Sequence, residues 1–198
     1  MKDGELMYKV NPYRPGAGTS PLYLAGREID ENEVNGIFEA LVNKVPVSSV
    51  IYSGLRGVGK TVLLNRFQRI AEEKSVFCKY IEVETRQDFI SQIVACSQAF
   101  LREVSSKEKI KNLLSKALDA LKTLVISFDV KNTTFTVSSQ ERELYTSTSL
   151  TQSLTDVFVY MGQTALEADT PICFFIDEIQ YMKQNELSAL IAALHRAN

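Results

Sequence analysis

The chain has 198 residues, 45% of them hydrophobic and 23% charged, which suits one soluble globular domain with a sizeable core and hardly two. A net charge of −2 and a pI near 5.6 exclude a global attraction to nucleic acid or anionic membrane, so any such contact is local or lies outside these residues. No apolar run approaches transmembrane length, and Met1-Lys2-Asp3-Gly4-Glu5 leads into no signal-peptide core, so a cytoplasmic protein with no membrane partner is expected. Cys78, Cys96 and Cys173 sit in apolar runs without C-x-x-C spacing and read as buried free thiols of a reducing compartment. The single histidine, His195, excludes a poly-His metal site.

Residues 1–25 are irregular and rich in turn formers (Asn11-Pro12, Pro15-Gly16, Gly18, Ser20-Pro21), so they drape over the surface or cover something. After Gly26-Arg27-Glu28, Asp30 and Glu33 make a D-x-x-E helix start. Val34, Ile37, Phe38, Leu41 and Val42 then recur at i, i+3, i+4, i+7 and i+8, predicting an amphipathic helix that Pro46 ends. Val50-Ile51-Tyr52 is a short apolar run fit for a buried strand.

Gly54-Leu55-Arg56-Gly57-Val58-Gly59-Lys60-Thr61 follows and reads G-x-x-x-x-G-K-T, the phosphate-binding P-loop or Walker A motif. Gly54 and Gly59 let the backbone turn tightly and bring N–H groups to phosphate oxygens where a Cβ would interfere. Lys60 offers a mobile positive charge to the β- and γ-phosphates, and Thr61 a hydroxyl to Mg²⁺. A helical pattern begins straight after Gly59, so the phosphates would lie at a helix N-terminus. Gly54, Arg56, Gly57, Val58, Gly59, Lys60, Thr61 and Val62 form the nucleotide-binding run, with Arg56 itself at an exposed loop position.

Val62, Leu63, Phe67, Ile70 and Ala71 carry the first core helix to about Glu73, and Val76 to Val83 favours a second strand. Thr85 and Asp88 open a helix with Phe89, Ile93, Cys96 and Phe100 on its apolar face. Ser105 and Glu108 form a second capping box, followed by Ile110, Leu113, Leu114, Ala117, Leu118 and Leu121 at helical spacing. Lys107, Lys109, Lys111 and Lys116 read as a solvated face. Leu124 to Phe128 reads as a strand that Lys131-Asn132 turns into a partner, Thr133 to Val137, giving a β-hairpin. Ser138 to Ser149 is polar, and Leu150 to Leu166 make a long helix ending before Asp169-Thr170-Pro171. The stretch 106–148 is thus longer than a minimal connection and reads as an insertion within a single domain, 1–198.

Ile172-Cys173-Phe174-Phe175-Ile176-Asp177-Glu178 is an apolar run ending in two carboxylates, as in a strand buried on both faces of a parallel sheet. Ligands bind at strand C-termini in such sheets, so Asp177 and Glu178 would point toward the P-loop. This is the Walker B pattern: Asp177 for Mg²⁺, directly or through water, and Glu178 to deprotonate the attacking water.

A P-loop followed by a D-E Walker B resembles the AAA+ ATPases. Pro21-x-x-Leu24-x-Gly26-Arg27-Glu28 before the first helix resembles, more narrowly, prokaryotic and archaeal-type ATPases related to the origin-recognition initiators. The resemblance implies a three-layer α/β fold with a mostly parallel sheet, and places Tyr23, Leu24, Gly26, Arg27 and Glu28 on the base-side wall. It implies ATP and Mg²⁺ as cofactors and hydrolysis driving a conformational switch. The alternative is a nucleotide-gated DNA- or protein-binding module with little intrinsic hydrolysis. A DNA or protein partner reached through regions outside these residues, and a second copy donating an arginine finger, are the partners it allows. The family's sensor strand, lid and C-terminal domain have no counterpart in these residues, so a C-terminally incomplete chain is expected. Otherwise the hairpin or a second copy would fill the gap between the two Walker strands.

Overall fold

The computed structural model describes residues 26–85, 88–128, 130 and 149–197. Tyr23, Leu24 and the rest of segment 1–25, the Thr133 to Val137 strand, and the loop from Ser138 through residue 148 lie outside the described residues. The elements are α1 (Glu28–Val42), α2 (Lys60–Glu73), β1 (Phe77–Glu82), α3 (Phe89–Val104), α4 (Lys111–Ser127), α5 (Leu150–Glu167), β2 (Ile172–Asp177) and α6 (Gln184–Ala197). Short 3-10 turns at Glu108–Ile110 and Ile179–Tyr181 lead out of α3 and β2.

β1 and β2 pair in parallel from Phe77↔Ile172 to Glu82↔Asp177, and among the described residues they are the whole sheet. Side chains alternate along a strand, so registered partners share a face. Phe77, Ile81, Ile172, Phe174 and Ile176 pack on a core built with α3, α4, α5 and α6. Cys78, Tyr80, Cys173 and Phe175 pack on a second, smaller core with Val34 and Phe38 of α1 and Leu63, Phe67, Ile70 and Ala71 of α2. Helices therefore cover both faces of the strand pair, and each fully buried Leu, Ile or Phe contributes about 1.5–3 kcal/mol.

Two expected strands are not strands. Val50 and Ile51 are 46% and 68% exposed, and residues 45–55 carry no sheet pairing. A strand is a paired state, and an apolar run without a ladder partner stays an irregular extended chain. Leu124 to Phe128 is the last turn and end of α4, with Leu124 and Val125 buried beside Ala117, Ala120 and Leu121. Those positions continue the 3.6-residue period of Ile110, Leu114 and Ala117, and a helix already paying its nucleation cost extends more easily than a new strand forms. The hairpin therefore has no first strand. β2 is also less buried than expected: only Phe175 is fully covered.

Asp88 caps α3, its carboxylate accepting from the Ser91 N–H at 3.2 Å and hydroxyl at 2.9 Å. Asp88→Ala should cost about 1 kcal/mol, read as a lower denaturation midpoint. Asp30 and Glu33 form no capping box: α1 starts at Glu28, and Asp30 pairs with the Arg27 guanidinium at 3.0 Å. Ser105 and Glu108 form none either, because Ser105 ends α3 and its hydroxyl donates back to the Arg102 carbonyl at 2.7 Å. Lys107, Lys109, Lys111 and Lys116 are exposed, and Lys107 also donates to the Ala168 carbonyl and, at 2.8 Å, to the Thr170 hydroxyl, tying the C-terminal end of α5. Val42 and Leu166, expected on helical apolar faces, are exposed.

Candidate nucleotide site

The loop from Gly54 to Gly59 runs into α2, whose first residue is Lys60. Gly57 and Gly59 hold φ of 84° and 85°, a conformation that a Cβ disfavours, while Gly54 is not in that region. The tight turning thus falls at Gly57 and Gly59, with Gly57 in the role the sequence suggests for Gly54. Gly54 has a different constraint: a Cβ there would sit 3.4 Å from the Val58 side chain. The first backbone N–H groups of α2 lack intrahelical partners and, with the helix dipole, favour an anion at this end. The Lys60 ammonium donates to the Gly54 and Leu55 carbonyls at 3.0 and 2.9 Å, folding its charge over the loop. Arg56 is exposed, as the sequence indicates, and Val58 is also exposed.

The two motifs meet at one carboxylate. Thr61 Oγ1 donates to Asp177 Oδ2 at 2.7 Å across 116 positions of sequence. Tyr80 Oη donates to the same oxygen at 2.6 Å, and the Glu178 N–H donates to Oδ1 at 2.8 Å. Partial burial pushes the Asp177 carboxyl up, but the hydrogen bonds from Tyr80, Thr61 and Glu178 and the charge of Lys60 outweigh it and hold the group below its ordinary value. Burial, and then the bond to Asp177, push the Tyr80 phenol up, so it remains a donor at neutral pH. Glu178 adopts a left-handed backbone, φ 56°, uncommon for a residue with a Cβ, and its carboxylate accepts from the Gln180 side-chain amide.

These donors fit Mg²⁺. The Thr61 hydrogen is committed to Asp177, which leaves the hydroxyl's lone pairs for a hard cation, and Asp177 supplies anionic oxygen beside it. No cluster of three or more His, Cys, Asp or Glu able to hold a metal occurs among the described residues. A magnesium ion needs none, since it commonly takes one or two protein ligands with waters and phosphate oxygens.

Arg27, expected on the base-side wall, reaches the loop: its guanidinium donates to the Val58 carbonyl at 3.2 Å while pairing with Asp30. Glu31 accepts from Arg66 at 3.1 Å and Glu39 from Lys74 at 3.1 Å, strapping α1 to α2. Val62 lies in the first turn of α2. Nothing in the sequence marks Tyr80 or Gln180 as residues of the site. Tyr80 reads as one more β-favouring residue, and only strand register shows where its hydroxyl ends. Cys78 and Cys173 face each other in the register, both free and both pushed by burial up to about 12, which makes them poor nucleophiles.

A glycine-rich turn leading into a helix, with its hydroxyl tied to a carboxylate at the end of a parallel strand, defines a P-loop nucleotide-binding domain. The chain belongs to the AAA ATPase domain family, whose family model matches residues 23–198. Membership implies nucleotide binding. No curated protein and no solved structure matches the chain. Among the described residues, no helix is long and apolar enough to cross a membrane.

Proposed function

We propose that the chain binds Mg·ATP and hydrolyses its β–γ bond with an activated water, using the energy to switch conformation. The observation that carries this is the Thr61–Asp177 hydrogen bond, which joins the two motifs at the atoms the chemistry needs. The backbone N–H groups around Gly57 and Gly59 would cradle phosphates, with Lys60 neutralising charge that develops on them. Thr61 and Asp177 would hold Mg²⁺, which supplies further neutralisation of the phosphate oxygens. Glu178, at the end of the same strand, would take the proton of the attacking water. Tyr23, Leu24 and Arg27 form the base-side wall in this reading. The full three-layer, mostly parallel fold rests on the resemblance of the two Walker motifs to the AAA+ ATPases, the kinship with origin-recognition initiators on the Pro21 to Glu28 stretch, and both belong to the same proposal.

The hydrogen bond from Gln180 to Glu178 favours a second reading, in which hydrolysis is slow until that bond is released. The protein would then act as a nucleotide-gated module for a DNA or protein partner, and a second copy would supply an arginine to the site. Turnover by the isolated chain at ordinary enzymatic rates would reject this version.

A thermal melt with and without Mg·ATP tests nucleotide binding at this loop. Ligand at a hundred times its dissociation constant stabilises by about 2.7 kcal/mol, a rise of roughly 5–10 °C for a domain of this size. Lys60→Ala should abolish the rise. A rise of equal size in Lys60→Ala would place the nucleotide elsewhere.

A further inference from the structure

We propose that Tyr80 is a positioning residue that sets the affinity of the site for Mg²⁺ by holding the Asp177 carboxylate, an inference that rests on the Mg·ATP reading above. The parallel register sets Tyr80 beside Phe175 and Glu82 beside Asp177. Tyr80 and Asp177 are therefore diagonal neighbours two positions apart along adjacent strands, within reach of an aromatic side chain. They share the face packed against α1 and α2, where Tyr80, Cys78 and Cys173 pack on the small apolar core that includes Phe175. Nothing apolar in that setting needs a phenol, and a phenylalanine would fill it equally well. The hydroxyl instead donates to Asp177 Oδ2 at 2.6 Å.

The bond completes a three-point fixation. Oδ2 accepts two hydroxyls, from Tyr80 at 2.6 Å and Thr61 at 2.7 Å, and Oδ1 accepts the Glu178 N–H at 2.8 Å. A carboxylate oxygen has two lone-pair directions, so Oδ2 is saturated and a lone pair remains on Oδ1 alone. Rotation about the side chain would break bonds to three different segments: the α2 N-terminus, β1, and the turn after β2. The carboxylate thus presents one orientation to the Thr61 hydroxyl. Without the phenol, Oδ2 regains a free lone pair and the group can turn. Groups that orient a metal ligand in this way alter metal affinity by about 10- to 100-fold when removed.

The test is equilibrium binding of ATP to the full chain, measured in EDTA and across a titration of Mg²⁺, for wild type, Tyr80→Phe, Asp177→Asn and the double variant. Tyr80→Phe should bind ATP in EDTA within about twofold of wild type, while its half-saturating Mg²⁺ rises about tenfold. In the Asp177→Asn background the same substitution should change nothing further, because its effect passes through that carboxylate. Binding in EDTA also reports that the loop is folded in each variant. An unchanged Mg²⁺ midpoint in Tyr80→Phe would overturn the proposal, and so would an equal shift in both backgrounds, which marks a merely structural tyrosine. Wild type showing no Mg²⁺ dependence at all would reject the metal-site reading and this proposal with it. Dependence in wild type that Asp177→Asn weakens and Tyr80→Phe leaves intact rejects the proposal alone.

Discussion

Glu178→Gln should lower ATP turnover by at least ~100-fold while leaving Mg·ATP binding in place, since a positioned general base contributes about 10²–10⁴-fold. The substitution removes the carboxylate's basicity and little else. Glutamine has the same length, and its amide oxygen can still accept from Gln180, which now donates to the Glu178 carboxylate. The left-handed backbone and the Glu178 N–H bond to Asp177 are independent of the side chain, so the metal end of the site is left alone. Phosphate release measured beside equilibrium binding separates the two effects. Turnover unchanged with binding retained would remove Glu178 from the base role. Loss of both would show a distorted site rather than a missing base.

Phe100→Ala should destabilise the chain by about 3–5 kcal/mol, a fall in melting temperature of roughly 6–20 °C. Phe100 is fully buried in the α3–α6 core, and its ring meets Phe77 of β1 edge-on at 5.3 Å between centroids. It therefore joins the helical layer to the strand whose register brings Tyr80 to Asp177. Truncation leaves a cavity under that strand, which the close-packed side chains of the same core cannot close completely. A fall of less than about 2 °C would mean that α3 does not pack on β1 in this way.

The chemistry-bearing residues were legible because their identity and order carry the information. Gly57, Gly59, Lys60 and Thr61 act within a few positions of one another, and a backbone turn into a helix is a local event. The Asp177-Glu178 pair is legible for a related reason: an apolar run must stop where a buried strand meets solvent, and the carboxylates mark that point. The α5 segment is legible from periodicity, β2 from its continuous apolar run, and α3 from its Asp88 cap.

The two expected strands that do not form turn on pairing. Val50-Ile51-Tyr52 and Leu124 to Phe128 are both short β-favouring runs, but sheet membership depends on a neighbour's hydrogen-bonding edge. The first run has no pairing in the described residues, and the second follows the period of the helix it continues. The capping boxes at Asp30 and Ser105 are displaced by competing contacts three residues away. Asp30 has Arg27 within 3.0 Å, and Ser105 has the Arg102 carbonyl at 2.7 Å, and these contacts displace the local reciprocal bonds.

By itself, then, the sequence determined the phosphate loop, the acidic strand end and the helical faces that bury the core, since each depends on residues close in the chain. Tertiary structure decided the sheet register, the two hydroxyls on Asp177 and the strap of Arg27 onto the loop. These join residues 31 to 116 positions apart, where no local spacing encodes the meeting and only the packing of α1, α2, β1 and β2 brings the donors within hydrogen-bonding distance.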